Sequence, residues 1–414
     1  MSAGQGRAFS KQAFLSSYLP ALTLALGTGV AVPAVPSLAK SFGVSFGVAS
    51  GVVTAFLLGN LAGTLPSGWL IDRLGRRSVL IAGPIVTSAV AIATAFAGSF
   101  PELIALRFVN GVSAQMWLMA RLAAISQTAP PEERGRHVSW MFGMDNTGKL
   151  TGPLVGALLV SLWGLRAPFI AYGVLALVAL VPAFLFAEET HRPAPSHAVS
   201  APRPKLALRA LLLPGWPYFG IALFAGLTRG PVSADLLHLY AAFRYHLGAA
   251  QIGYLATGAA ALSVPLNFLS GSLMDRFGRK NSMIPAFTGV AVSMVLLAVS
   301  AFARLSFAWY VILFIACVAA QALTAGSIQT VGADVAPAEG RGVFLGVWRF
   351  TGLSGSTLSP TIFAVLAAQV SYGASFLFNA MTAVVVAALI IRYVPKNYPG
   401  APTPSAEAVG SGPG

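Results

Sequence analysis

The chain has 414 residues, of which 56% are hydrophobic and 9% are charged, and its mean hydropathy is +0.75. Soluble domains carry roughly 25% charged residues, so this composition excludes an ordinary soluble enzyme. The formal net charge of +14 would suit a nucleic-acid partner, but the positions of the basic residues indicate a membrane instead.

Apolar stretches recur along the whole chain, and each is long enough to cross a hydrocarbon core of about 30 Å as a helix. Hydropathy predicts an all-α polytopic membrane protein with 12 transmembrane helices, and Gly, Pro and charged residues mark the ends of the apolar stretches. We number the predicted spans in chain order: 13–39, 45–71, 78–98, 101–128, 135–162, 167–187, 215–242, 249–274, 282–301, 305–333, 341–367 and 371–393.

The segment "EETHRPAPSHAVSAPRPKLALRALLLP", rich in Pro and charge, separates the sixth span from the seventh. It divides the chain into an N-terminal six-helix bundle at 1–187 and a C-terminal six-helix bundle at 215–394. The segment itself, 188–214, is predicted to be a cytoplasmic linker. The tail at 395–414 is rich in Pro, Gly, Ala and Ser and is predicted to be a disordered cytoplasmic segment.

Lys and Arg residues concentrate on one side of the predicted topology. With both termini in the cytoplasm, 17 fall in cytoplasmic segments or at their span ends and 4 fall in external loops. This bias predicts a multi-pass protein of the plasma or inner membrane with both termini cytoplasmic. It also explains the basic charge through anionic lipid headgroups, so membrane lipid is the expected partner and nucleic acid is not.

One loop motif occurs twice. "GWLIDRLGRR" follows the second span and "GSLMDRFGRK" follows the eighth, 203 residues later, and both fit G-x-x-x-D-R-x-G-R. Recurrence at the same place in each half indicates an internal duplication, as in many secondary transporters. The shared positions are Gly68, Asp72, Arg73, Gly75 and Arg76 in the first copy, and Gly271, Asp275, Arg276, Gly278 and Arg279 in the second.

The doubled motif, the twelve spans and the long central loop resemble the major facilitator superfamily over nearly the whole chain. "GKLTGPLVG" in the fifth span resembles the G-x-x-x-G-P-x-x-G pattern of its drug:proton antiporters, and Arg107 in "LIALRFVNG" resembles their fourth-helix arginine motif. The resemblance implies two pseudo-symmetric six-helix bundles around a central cavity. It also implies that latches at Asp72 and Asp275 favour one access state; the alternative is that both loops are tight turns with basic anchors.

The fifth-span pattern has a physical meaning of its own. Gly148, Gly152 and Gly156 form a stripe of small residues that allows a neighbouring helix to approach closely. Pro153 removes a helix hydrogen bond and favours a bend. We therefore expect tight helix packing here.

Several ionisable residues lie well inside predicted spans. A charge at the bilayer centre costs about 2.5–3.5 kcal/mol on insertion scales, so such residues normally face a cavity or a partner. The candidates for a substrate or proton pathway, together with two polar neighbours, are Arg107, Arg121, Asp145, Lys149, Asp235, Arg349, Gln115 and Asn146.

Each charge also has a structural alternative. Asp145 and Lys149 are four residues apart and would form a neutralising pair on one helix face. Arg121 and Asp145 would form a bridge between the fourth and fifth spans, and Arg107 and Asp235 would reach the membrane surface. His238, one turn beyond Asp235, is interpreted as an interfacial residue.

The predicted function is secondary active transport by alternating access, with proton-coupled export of a small organic or amphipathic compound as the leading hypothesis. Asp145 and Asp235 are the carboxylates deep enough to carry the proton, and the first span has no Asp or Glu, unlike many drug:proton antiporters. The excess of buried cations also suits a symporter or exchanger for a carboxylate-bearing metabolite, bound by Arg121, Lys149 and Arg349.

A non-transporting receptor or scaffold is a further alternative. No catalytic residues, metal ligands or cofactor motif are recognisable, so we expect no enzyme and no cofactor. The transmembrane proton gradient is the expected driving force. A small-molecule substrate and a monomer are the remaining expectations.

Overall fold

The computed structural model describes residues 18–128, 134–186, 208–233, 235–337 and 341–395. These residues are almost entirely helical, and the helices follow the twelve predicted spans. Their bounds, in span order, are Leu19–Ala31 with Ala34–Ser41, Phe46–Ala49 with Gly51–Leu74, Arg76–Ala95, Phe100–Thr128, Arg134–Trp163, Ala167–Phe186, Leu208–Ser233 with Leu236–Arg244, Ala249–Phe277, Arg279–Phe302, Phe307–Ala322 with Ser327–Val335, Arg341–Gln369 and Tyr372–Tyr393.

Nine segments of the described chain are long and apolar enough to cross a membrane. The fifth and seventh spans, which carry charges, and the shorter sixth span, whose apolar helix is Ala167–Pro182, complete the set. The seventh span begins at Leu208, seven residues before its predicted start, so helix extends into the stretch predicted as linker. The remaining linker and the predicted tail from 396 onward lie outside the described residues.

The first and seventh spans are both interrupted. The first breaks at Val32 and Pro33, where proline cannot donate a backbone hydrogen bond. The seventh breaks before Asp235, whose φ of 56° lies in the left-handed region. Val32 and Asp235 are 203 residues apart, which is the spacing of the repeated loop motif. The duplication is therefore visible in the shape of the helices.

Helix packing repeats between the halves in the same way. The first span packs on the fifth and the third on the sixth, as the seventh packs on the eleventh and the ninth on the twelfth. Contacts between the halves join the fifth span to the eighth and the second to the eleventh. The chain is thus an all-α membrane protein of two pseudo-symmetric six-helix halves.

The halves meet in an apolar cluster at one end, which we call the closed end. Phe46 and Val53 of the first half pack there with Tyr240, Phe363 and Phe376 of the second. The four other apolar clusters of the described residues each lie within one half. The closed end holds the turn between the first and second spans, so the predicted topology places it outside the cell.

Candidate functional site

A cavity of about 580 Å³ lies between the two halves. Its walls come from both halves and include the first, second, fourth, fifth, seventh, eighth and tenth spans. Six of the predicted pathway residues line it: Arg107, Gln115, Arg121, Asp145, Lys149 and Asp235. Asn146 and Arg349 are exposed side chains and are not among its lining residues.

Three of these charges form a connected group on the fourth and fifth spans. Lys149 Nζ lies 2.7 Å from Asp145 Oδ2, and Arg121 Nη2 lies 4.0 Å from Asp145 Oδ1. The Asp145 carboxylate therefore takes part in both the same-helix pair and the bridge between spans. The group keeps one excess positive charge.

The two cations of this group differ in exposure. The Arg121 side chain is 5% exposed, whereas the Lys149 side chain is 55% exposed. The Arg121 guanidinium lies 3.7 Å from the centre of the Trp117 ring, a favourable cation–π position. Its Nε and Nη1 are buried and have no hydrogen-bond partner among the described residues. Arg121 is thus held in the wall with two N–H groups that lack a hydrogen-bond partner. The Lys149 ammonium, although paired with Asp145, is exposed enough to contact a ligand as well.

Arg107 lies elsewhere in the wall of the same cavity. Its guanidinium is 4.8 Å from the centre of the Phe56 ring, and Nη1 donates to Asn110 Oδ1 at 3.4 Å. Asn110 Nδ2 in turn donates to the Tyr172 hydroxyl at 3.4 Å. These contacts direct Arg107 to the cavity wall, and the alternative in which it reaches the membrane surface stays a prediction.

Asp235 and His238 approach the cavity from the second half. His238 Nδ1 lies 3.2 Å from Asp235 Oδ1, and the His238 ring meets the Phe314 ring edge to face. His238 is buried and lines the cavity, a placement that its interpretation as an interfacial residue did not include. The helix break at Asp235 lies one turn before His238, and the i,i+3 spacing of the two residues is the sequence signal for their contact.

Four aromatic side chains belong to the apolar wall, and the sequence analysis missed them. Phe56, Trp117, Tyr172 and Phe314 come from the second, fourth, sixth and tenth spans. In a chain with 10% aromatic residues no spacing sets these four apart. Within the described residues, no group of His, Cys, Asp and Glu is arranged to hold a metal ion.

The small-residue stripe of the fifth span packs on the first span. A Cβ atom added to Gly148 would lie 2.6 Å from the Leu22 carbonyl oxygen, and one added to Gly156 would lie 2.1 Å from that of Val30. Only glycine permits backbones to approach this closely. The stripe brings Pro153 and Lys149 of the same helix to the cavity wall.

The residues of the repeated loop motif whose side chains the structure describes are not among those that line the cavity. Arg279, the second-half counterpart of Arg76, forms an ion pair with Asp334 at the end of the tenth span. Arg73 lies over the Trp69 ring and Arg276 over the Phe277 ring. The side chains of Asp72, Arg76 and Asp275 are outside the described part, so latches at the two aspartates stay a prediction.

Comparison with known proteins identifies transporters. The 3-(3-hydroxy-phenyl)propionate transporter of Escherichia coli (strain K12) is 28% identical over 295 residues, which are 68% of this chain and 69% of that protein. The 4-hydroxybenzoate transporter of Pseudomonas putida is 27% identical over 157 residues, 38% of this chain and only 35% of its own. A quinolone resistance protein of Staphylococcus aureus is 23% identical over 252 residues, 60% of this chain and 63% of its own.

The fold has solved counterparts. The crystal structure of a D-xylose-proton symporter matches with a TM-score of 0.77 at 18% identity, over 93% of this chain and 97% of that chain. The profile of the Major Facilitator Superfamily matches residues 19–234 and 218–411. Family and relatives alike are transporters rather than enzymes. The chain belongs to the Major Facilitator Superfamily.

Proposed function

We propose that this transporter carries a small organic anion, an aromatic carboxylate, together with a proton. The observation that carries the proposal is that two cations lie together in the cavity wall around Asp145: the exposed ammonium of Lys149 and the buried guanidinium of Arg121. Arg107 adds a third cation, against the two carboxylates of Asp145 and Asp235 among the described lining residues. A site of this charge favours an anionic ligand.

The apolar part of the ligand would pack on the aromatic walls. Small-molecule sites combine a largely apolar lining with a few polar groups that fix orientation. Phe56, Tyr172 and Phe314 supply such a lining beside the cations. The substrates for which two relatives are named, a hydroxyphenylpropionate and a hydroxybenzoate, are aromatic rings bearing a carboxylate. They support the same ligand class for this chain.

Alternating access is part of this proposal, and both the family and the shape support it. The halves pack together at the closed end, and under the predicted topology that end is external. This conformation would therefore receive or release its ligand on the cytoplasmic side. Import requires the apolar cluster at the closed end to separate in another state.

The test is uptake of 3-(3-hydroxyphenyl)propionate or 4-hydroxybenzoate by proteoliposomes with an imposed proton gradient. We expect uptake of the carboxylate and none of the matching amide, because only the carboxylate bears the charge that Lys149 and Arg121 attract. Lys149→Gln should lower affinity for the anion about tenfold or more, while Thr151→Val, whose hydroxyl bonds its own helix, should not. Equal transport of the acid and its amide would reject the proposal.

Proton-coupled export of an amphipathic compound is the second candidate. It is supported by the fifth-span pattern of Gly148, Gly152, Pro153 and Gly156 and by the likeness to a quinolone resistance protein. Proton movement separates the two candidates: symport carries protons with the substrate, and antiport carries them against it. If export is the function, Asp145→Asn should abolish or uncouple it while the protein level in the membrane stays normal.

A further inference from the structure

Two arginines of the fourth span line the cavity at different depths. Arg107 and Arg121 belong to the continuous helix Phe100–Thr128. Fourteen residues at a rise of about 1.5 Å each separate their Cα atoms by about 21 Å along the helix. The side chains shorten this distance, because Arg107 bonds Asn110 one turn later and Arg121 lies over Trp117 one turn earlier. The two guanidinium groups therefore approach the middle of the cavity from opposite directions along the helix.

The two depths differ in charge. At the inner end, Arg121 and Lys149 share the carboxylate of Asp145, which leaves one excess positive charge. The outer end holds Arg107 and Asp235, each of which lies within about one turn of a residue in the apolar cluster of the closed end. These two charges are opposite and balance. A carboxylate is therefore attracted to the inner end, and an uncharged polar group suits the outer end.

At the outer end, the Arg107 guanidinium keeps a hydrogen-bond donor for a ligand. The side chain is half-buried, and the Phe56 ring lies against the guanidinium with its centre 4.8 Å away. Nη1 donates to Asn110 Oδ1 at 3.4 Å, whereas Nη2 has no hydrogen bond to a residue that the structure describes. A ligand that removes this N–H group from water without accepting from it loses affinity. The outer end therefore favours a ligand with a hydrogen-bond acceptor at this position.

The Tyr172 hydroxyl adds a second polar group to the outer end. It accepts from Asn110 Nδ2 at 3.4 Å, and the same asparagine accepts from Arg107. Thr28 Oγ1 also lies 3.4 Å from the Tyr172 hydroxyl, but it lies closer, at 3.0 Å, to the Leu24 carbonyl oxygen. The single hydrogen of the Thr28 hydroxyl is best used on that carbonyl. The hydrogen of the Tyr172 hydroxyl is then left to Thr28 or to a ligand.

The charged groups of the seventh span do not occupy the Arg107 donors. Asp235 Oδ1 lies 3.2 Å from His238 Nδ1, and no ion pair within the described part of the chain joins Asp235 to Arg107. Arg229 of the same span is not among the residues that line the cavity. Asp235 therefore adds negative charge to the outer end and disfavours a second anion there, while Arg107 Nη2 stays accessible to a neutral acceptor.

We propose that the cavity selects aromatic carboxylates that carry a hydroxyl group on the side of the ring away from the carboxylate. The carboxylate binds Lys149 and Arg121 at the inner end, and the hydroxyl accepts a hydrogen bond from Arg107 Nη2 at the outer end. An acid without the hydroxyl leaves that donor unpaired, and a second carboxylate in its place meets the negative charge of Asp235. This inference rests on the proposed transport of an aromatic carboxylate and adds a second point of recognition to it.

The experiment compares three acids for binding to the purified full chain by titration calorimetry: 4-hydroxybenzoate, benzoate, and terephthalate, which has a second carboxylate in place of the hydroxyl. We expect the wild type to bind 4-hydroxybenzoate about tenfold or more tightly than either of the others. Arg107→Met should bind 4-hydroxybenzoate and benzoate within about twofold of each other, because the donor is gone. Arg107→Lys retains a donor and should keep part of the preference. Each preference is a ratio within one variant, so a general loss of affinity cancels.

Arg166→Met is the matched control, because Arg166 also lies over an aromatic ring, that of Phe96, but is exposed and is not among the lining residues. It should keep the wild-type preference. Binding of benzoate to Arg107→Met shows that this variant is folded. Equal binding of benzoate and 4-hydroxybenzoate by the wild type, an unchanged preference in Arg107→Met, or loss of all binding in that variant would overturn the inference and leave the proposed function standing. If the wild type binds none of the three acids, both are overturned.

Discussion

Gly75 and Gly278 adopt the same backbone conformation 203 residues apart, with φ, ψ of 81°, 153° and 80°, 155°. Each separates two helices: Leu74 ends one and Arg76 begins the next, as Phe277 and Arg279 do in the second half. This region of backbone space is open essentially to glycine alone. The repeated loop motif therefore encodes a repeated turn.

We predict that the two glycines of each motif copy differ in importance. Gly75→Ala and Gly278→Ala should each destabilise the protein by about 1–3 kcal/mol, because a Cβ atom is strained in this conformation. Gly68→Ala and Gly271→Ala should be tolerated, because an added Cβ atom meets nothing within 4 Å. Thermal unfolding in detergent measures both pairs. A similar loss at Gly68 would show that the motif is constrained by something other than the turn.

The close approach of the first and fifth spans gives a second prediction. A Cβ atom on Gly152 would lie 2.6 Å from the Gly29 Cα atom, so Gly152→Val should force the two helices apart. Overpacking typically costs about 1–3 kcal/mol, and contact with backbone leaves little room for relaxation. We expect a lower unfolding temperature and less folded protein by size-exclusion chromatography.

Gly143→Val provides the control on the same helix, because a Cβ atom there meets nothing within 4 Å. It should leave the unfolding temperature within a degree or two of the wild type. Equal loss of folded protein from both variants would mean that valine harms this helix through its own conformational preference rather than through contact with the first span.

The sequence was sufficient to predict the helices and their duplication. Spans of twenty apolar residues and a motif repeated at one spacing can be recognised locally, because neither depends on how the helices pack. The pairing of Asp145 with Lys149 was also predictable, because i,i+4 residues share a helix face. Its second partner, Arg121, depends on how two helices pack and stayed one of several alternatives.

Features set by tertiary packing were beyond the sequence. The left-handed backbone at Asp235 breaks a span that hydropathy predicts to be continuous, and His238, one turn beyond the break, lines the cavity. Arg349 shows the reverse case, because its depth in the eleventh span suggested the cavity while the helix turns it away from the lining. The sequence predicts how deep a residue lies along a membrane-spanning helix. It does not predict which face of the helix the side chain occupies when most residues of that helix are apolar.

Replacement of Asp145 gives a third prediction. If the substrate is an organic anion, Asp145→Asn should bind it several-fold more tightly, because the Asp145 carboxylate no longer competes for Lys149 at 2.7 Å. The same change leaves the buried Arg121 without its ion-pair partner and should lower stability by about 1–3 kcal/mol. Binding is measured by calorimetry and stability by thermal unfolding.

Asn146→Ala is the neighbouring control. Asn146 is exposed and is not among the lining residues of the cavity, so neither affinity nor stability should change. Weaker anion binding in Asp145→Asn would argue that the carboxylate orients Lys149 for the substrate instead of competing with it.

The closed end gives the last prediction. Lys40 Nζ of the first half lies 3.3 Å from the Ala242 carbonyl oxygen and 3.3 Å from His246 Nδ1 of the second. The carbonyl lies in the last turn of Leu236–Arg244, where helix oxygens lack partners and a cation is stabilising. Lys40→Met should therefore loosen this end and raise hydrogen exchange of the amides of Leu236–Arg244. Ser41→Ala should not, because the Ser41 hydroxyl bonds Leu38 within its own helix. Unchanged exchange in Lys40→Met would mean that the apolar cluster alone keeps the two halves together at this end.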